Sequence, residues 1–193
     1  MTSRRQTRRP GAAFPRFANG PLARYLEGLC KGIAMLSIRP ARPGDEALVL
    51  SFIRALAEYE KLLDRVVATE ETVREALFGD NPRLFCSIAE WNGEPAGFSV
   101  WFYNYSTFLA RHGIYVEDLF VKPEFRSKGI GKALLVNLAA RAAKEGCGRL
   151  EWSVLDWNVD AIAFYETLGA RPVEGWTVYR LSGDALQNLG EQD

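Results

Sequence analysis

Residues 114–134, Ile-Tyr-Val-Glu-Asp-Leu-Phe-Val-Lys-Pro-Glu-Phe-Arg-Ser-Lys-Gly-Ile-Gly-Lys-Ala-Leu, constrain this chain more than any other stretch. The β-branched, aromatic and aliphatic side chains of Ile114, Tyr115, Val116, Leu119, Phe120 and Val121 predict a strand, and Pro123, which has no N–H for a ladder, ends it. A loop, Arg126-Ser-Lys-Gly129-Ile-Gly131, then runs directly into a helical pattern. Two residues without a Cβ therefore stand where the unpaired N–H groups of a first helical turn point outward. Those donors, the positive end of the helix dipole, and Arg126, Lys128 and Lys132 suit an anion such as a diphosphate, to which bare backbone can come close.

A Gly-x-Gly before a helix can also be only a tight turn, and two familiar phosphate motifs are absent. A dinucleotide fingerprint needs a third glycine where Leu134 stands, and a Walker loop is excluded by Arg126 and Ala133 at its deciding positions. There is no Gly-x-Ser-x-Gly for a serine hydrolase. The three cysteines, Cys30, Cys86 and Cys147, form no Cys-x-x-Cys, which favours a reducing compartment, and the one histidine, His112, reads as a surface loop residue rather than a metal ligand. No metal site is expected.

At 193 residues, 48% of them hydrophobic, the chain has material for one well-buried domain and too little for two. No apolar run is long enough to span a membrane. The zero net charge is unevenly divided. Residues 1–34 hold seven basic side chains and one acid, leaving 17 basic and 23 acidic residues, net −6, in the remainder. An acidic domain argues against nucleic acid as a partner and leans toward cationic small molecules. The leader is Arg-rich and Pro-interrupted, without a secretory core. Its composition is compatible with an organellar transit peptide, but Met35 stands just before the first credible strand, so residues 1–34 read as a disordered leader or an over-long start. Residues 35–193 are then the working domain, expected in the cytoplasm.

From Met35 the pattern is regular. Residues 36–40 read as an edge strand closed by Pro40; Asp45 stands near the N-cap of a helix that Val49, Phe52, Ile53, Leu56 and Ala57 carry to about Lys61. Thr69 caps a second helix through Leu77 and Phe78. Residues 84–91 and 95–105 are strands joined through Asn92-Gly93, a strong hairpin signal. Residues 103–113 read as a polar and aromatic connection. After the helix at 131–144 come a strand at 150–155, a helix capped by Asn158 and stopped by Gly169, and a last strand at 176–181. The order β-α-α-β-β-β-α-β-α-β implies an α/β fold, a twisted mixed sheet with helices on both faces.

Arg-x-x-Gly-x-Gly between a strand and a helix resembles the acyl-CoA loop of the Gcn5-related N-acetyltransferases, the GNAT family, and the element order over residues 36–182 is similar to that fold. A second segment, Asn158 followed by Phe164-Tyr165 and Gly169-Ala170, resembles the family's Asn…Phe-Tyr…Gly-Ala motif. Further matches at 38–40, 56–60, 115–118, 157–158 and 174–176 resemble the diamine branch, the spermidine/spermine N1-acetyltransferase and thialysine acetyltransferase relatives. One departure is Ser127, where the family usually has glycine. The resemblance implies acetyl-CoA as co-substrate, a small primary amine as acceptor, no metal and a homodimer. The alternatives are a non-catalytic acyl-CoA sensor of the same fold, or an acetyltransferase for amino-acid or protein amines.

Aminolysis of a thioester needs a group that accepts the amine's proton, donors for an oxyanion, and a proton for the departing sulfur. The resemblance assigns Tyr165 as the acid and Glu117 as the base, the latter through water. A carboxylate amid an apolar strand is costly to bury without a purpose, which favours a pocket position for Glu117. Asp118, by strand alternation, is expected to face the other way, as a solvated edge or loop-bonded residue. The resemblance further implies that backbone of Leu119, Phe120 and Val121 pairs with the pantetheine arm. It implies that Arg126, Ser127, Lys128, Gly129, Ile130, Gly131 and Lys132, with Asn158 and Tyr165, hold the remainder of CoA. Tyr59, Glu60, Glu117, Glu151, Trp152 and Glu174 are then expected around the amine, where acids and aromatic faces suit an alkylammonium.

Overall fold

The computed structural model describes residues 35–191; the expectations for the leader lie outside them. Five strands form one sheet in the order β1-β2-β3-β4-β5: β1 (Leu36–Pro40), β2 (Phe85–Trp91), β3 (Glu94–Ser106), β4 (Arg111–Val121) and β5 (Leu150–Trp152). The first three joints are antiparallel and β4/β5 is parallel. A parallel joint needs a crossover, and the helix α3 (Ile130–Lys144) provides it.

Helices α1 (Glu46–Tyr59) and α2 (Glu70–Phe78) cover one face of the sheet. The spacing of Val49, Phe52, Ile53 and Leu56 puts α1's apolar stripe on Ile88, Phe98, Val100 and Phe120. Phe52 stacks on Phe98 at 5.1 Å between ring centroids and meets Phe120 edge-on at 6.4 Å. Ile130 and Leu134 of α3 close the opposite face over Ala89, Ala96 and Phe125. Thr69 caps α2 with a reciprocal bond to Thr72. Asp45 stands at the N-cap of α1, but its carboxylate accepts from the Arg42 N–H and pairs with Arg39 instead of capping. Asn92 (φ 55°) and Gly93 (φ 82°) take the left-handed conformations of a tight hairpin turn.

Several elements differ from expectation. Residues 103–113 are mostly strand: β3 runs to Ser106, β4 begins at Arg111, and only the four residues between turn. Trp101 and Tyr103 lie on one face of β3 and touch at 5.3 Å, and the ring of His112, in β4 and not in a loop, meets Tyr105 at 5.0 Å. That aromatic alternation is itself a period-two signal. The segment at 176–181, expected as a strand, pairs with none among the described residues, and Trp176 and Tyr179 are 75% and 92% exposed. Strand preference is realised only through a partner. The strand expected at 150–155 is confined to three residues, and a short helix, α5 (Asp184–Gly190), was not expected.

The chain divides into two compact units, one ending at Trp152 and one beginning at Ser153. The sheet with α1 to α3 belongs to the first. The second contains α4 (Val159–Thr167), whose N-cap Asn158 accepts from the Ala161 N–H at 3.3 Å, and α5.

Candidate active site

The site begins with one extra residue in β4. In the β3/β4 ladder Asp118 faces Val100 and Val116 faces Trp101, so Glu117 has no residue opposite it. This is a β-bulge, and it has two consequences. Strict alternation fails, so Asp118 no longer points away from Glu117's surroundings. The ladder between β4 and β5 also stops there: Ile114, Tyr115 and Val116 pair with Leu150, Glu151 and Trp152, while residues 117–121 have no strand on that edge among the described residues. An extended ligand can add to that edge as a strand does, at Leu119 and Val121.

The expectation that Asp118 is a solvated edge residue is overturned. It is half-buried, facing the α1 side with Val100 and Phe120, and its carboxyl is pushed up to about 6, first by burial and then by the charges of Glu117 and Glu60. Glu60, the residue that ends α1, is half-buried and is also raised by burial. Glu117 is exposed. Three carboxylates thus converge from the end of α1 and the bulge of β4, and none has an ion pair with a basic side chain among the described residues. Such a cluster resists holding its full negative charge unless a cation joins it.

Tyr59, immediately before Glu60, is a third exposed and carries the guanidinium of Arg126 over its ring at 4.7 Å. Arg126 also lies 5.9 Å from the Phe120 ring, and its Nε donates to the Val121 carbonyl at 3.1 Å. Lys128 donates to the Glu124 carbonyl at 2.7 Å and lies over Phe125 at 4.9 Å. Ser127 (φ 60°) and Gly129 (φ 77°) are both left-handed, a conformation that glycine takes freely and a residue with a Cβ only at a cost. A Cβ built on Gly129 would meet nothing within 4 Å, so the space over the loop is open. Ile130 is buried as the first residue of α3, with Gly131 half-buried and Lys132 exposed beside it. Open space, N-terminal amides and three cations fit a diphosphate.

Not every expected residue joins this group. Glu151 accepts from Asn104 Nδ2 at 2.8 Å and stands 2.8 Å from Arg149 Nε, so its charge is already balanced. Trp152 is half-buried at the last rung of the β4/β5 ladder. Glu174, Asn158 and Tyr165 belong to the second unit. Tyr165 is half-buried in α4, 5.3 Å from the Phe164 ring, and Glu174 is exposed beyond that helix. Among the described residues no group of His, Cys, Asp and Glu side chains is arranged to hold a metal, and no helix is long and apolar enough to cross a membrane.

Comparison with known proteins matches residues 50–170 to the acetyltransferase (GNAT) family. The chain belongs to that family. It is 42% identical over 168 residues to a thialysine N-epsilon-acetyltransferase from Sus scrofa, covering 81% of this chain and 98% of that one. It is 34% identical to an L-ornithine N5-acetyltransferase from Arabidopsis thaliana, covering 79% and 86%. Among solved structures it is similar to an integron cassette protein from V. cholerae (TM-score 0.69, 26% identity, 81% and 98% covered). It also shares its fold with a soil-metagenome aminoglycoside acetyltransferase in complex with sisomicin (TM-score 0.64, 16% identity, 76% and 97% covered). This GNAT protein is an N-acetyltransferase.

Proposed function

We propose that this GNAT protein transfers acetyl from acetyl-CoA to the primary amine of a small cationic acceptor: a thialysine-like or ornithine-like amino acid, a diamine or a polyamine. The observation that carries the reading is the bulge at Glu117, which frees the edge of β4 beside the convergent acids Glu60, Glu117 and Asp118. The names of the thialysine and ornithine relatives support an acceptor with more than one charged group.

Glu117 takes the proton of the acceptor ammonium through water, so that nitrogen can attack the acetyl carbonyl. The N–C bond forms, the C–S bond breaks, Tyr165 protonates the departing thiolate, and the second proton that the nitrogen sheds as the amide forms returns through water to the Tyr165 oxygen. Leu119 and Val121 hold the pantetheine arm with their main-chain groups, and the amides and cations of residues 126–132 hold the diphosphate, with Asn158 as a further contact. Tyr59, Glu60 and Asp118 hold the acceptor. Glu174 and Trp152 complete the proposed acceptor contacts, while Glu151 acts through its ties to Asn104 and Arg149.

We read residues 35–193 as one functional domain, because the family match runs across both units. Its excess of acids supports neither a nucleic acid nor a membrane partner. A homodimer working in the cytoplasm completes the proposal; the exposed apolar side chains at 173–181 are surface that a second copy can cover.

A thiol-release assay with thialysine, lysine, ornithine, putrescine, spermidine and an aminoglycoside tests the reading. Release of CoA thiol with at least one of these amines is expected; binding of CoA without release from any of them identifies a sensor. In calorimetry, Gly129→Asp should abolish CoA binding in a folded protein, since a carboxylate would intrude on the diphosphate by shape and by charge.

A further inference from the structure

We infer that Arg126 and Tyr59 form a gate through which acyl-CoA and the amine acceptor are bound with positive cooperativity. The inference rests on the proposed function and goes beyond it. Arg126 has two duties that conflict. As a cation of the loop before α3 it is suited to a diphosphate, yet its guanidinium lies 4.7 Å from the centroid of Tyr59 and donates to the Val121 carbonyl at 3.1 Å. Val121 ends the free edge of β4, so the guanidinium covers an acceptor that the co-substrate's arm needs. Tyr59 adjoins Glu60, whose carboxylate acts on Asp118, so the guanidinium also occupies an aromatic face in the acceptor's surroundings.

An aromatic face holds one cation well, and a second cation brought to it meets both a filled site and a like charge. When the diphosphate draws Arg126 away, the Val121 carbonyl is released to the pantetheine arm and the Tyr59 ring to the alkylammonium. Each ligand thereby removes a competitor of the other. Linkage requires the effect to be reciprocal: whatever factor CoA contributes to amine affinity, the amine contributes to CoA affinity. Arg126 and Tyr59 are positioning residues in this scheme, and neither takes part in proton transfer.

The test is calorimetry of CoA, which has no acetyl group to turn over, in a double-mutant cycle. Tyr59→Leu should tighten CoA binding about 3- to 10-fold, because Arg126 no longer has a ring to leave. Tyr59 is partly exposed, and a melting curve checks that the variant is folded. In an Arg126→Gln background the same change should leave CoA affinity within twofold. A merely structural Tyr59 predicts unchanged or weaker binding in both backgrounds, and that result overturns the gate. A second arm titrates the best amine from the thiol-release assay, with and without CoA. Wild type should bind it about 5- to 30-fold more tightly with CoA present, and both Tyr59→Leu and Arg126→Gln should lose that factor. Loss in Arg126→Gln alone would reduce the coupling to simple charge and overturn the role of Tyr59. If no amine is acetylated, the functional reading fails while the CoA cycle still decides whether the two residues compete.

Discussion

Between Ile114 and Val116, β4 is paired on both edges, to β3 and to β5; beyond the bulge at Glu117, Asp118 to Val121 pair with β3 alone among the described residues. The doubly paired half is core, with Ile114 and Val116 buried. The singly paired half carries Glu117 and Asp118, one exposed and the other half-buried with its carboxyl pushed up to about 6. One inserted residue separates them. A sheet gains stability by satisfying both edges of each strand, so a strand released on one edge gives up stability for a place where a ligand can be held. Mutations on either side of the bulge should accordingly fail in different ways.

The largest effect belongs to Glu117. A free alkylamine has a pKa near that of lysine, so at neutral pH roughly one molecule in a thousand is already neutral. If Glu117 assists deprotonation, Glu117→Gln should lower the rate on the order of 10² to 10⁴, with the loss shrinking as pH rises; steady-state rates across pH check this. Ile114→Val, in the doubly paired half, should do the reverse. It should cost about 1 kcal/mol of stability in denaturant unfolding and leave the rate unaltered. Equal effects of the two changes on the rate would erase the distinction between the halves.

Much of this division was legible in the sequence, but only where the signal was local. Thr69 and Asn158 mark helix starts because a cap acts within three residues, and Asn92-Gly93 marks a turn because its strain is local. The bulge is different. It is a property of the register between Val100 and Asp118, and no spacing within β4 alone contains it. Misreading Asp118 followed directly, since alternation assumes an unbroken ladder. Pairing also decided the fate of Trp176 and Tyr179, whose composition says strand and whose surroundings provide no partner among the described residues. Contacts between distant residues were equally out of reach: Arg126 was legible as a phosphate cation, while its place on Tyr59 depends on where α1 ends.

A smaller effect, in stability, comes from Asp118. Burial and the charges of Glu117 and Glu60 raise its folded pKa from 3.8 to about 6, so the native state holds a proton that the unfolded chain has released between those values. Stability therefore falls as pH rises through that window, and above pH 6 the full cost is present. Asp118→Asn removes the cost. Thermal or urea unfolding should show a gain of about 1 to 3 kcal/mol at pH 8 that vanishes below pH 4, and a gain independent of pH would mean that the carboxyl is not strained.

The smallest effect lies in the loop after the free half of β4, where Ser127 holds φ at 60°. For a residue with a Cβ the left-handed region costs about 1 to 2 kcal/mol, a penalty glycine escapes. Glycine, however, gives the unfolded chain more freedom, which offsets about 0.5 to 1 kcal/mol of the gain. Ser127→Gly should thus stabilise the protein by about 0 to 1.5 kcal/mol, the net of two opposed terms. Ser127→Val is the sharper measurement, because a β-branched side chain tolerates positive φ least. It should lose about 1 to 2 kcal/mol. Calorimetry should show CoA affinity falling with it if this backbone conformation presents the Gly129 amide to the diphosphate. If Val at this position binds CoA as tightly as Ser, the loop's left-handed geometry is incidental to the anion site and its donors must come from α3 alone.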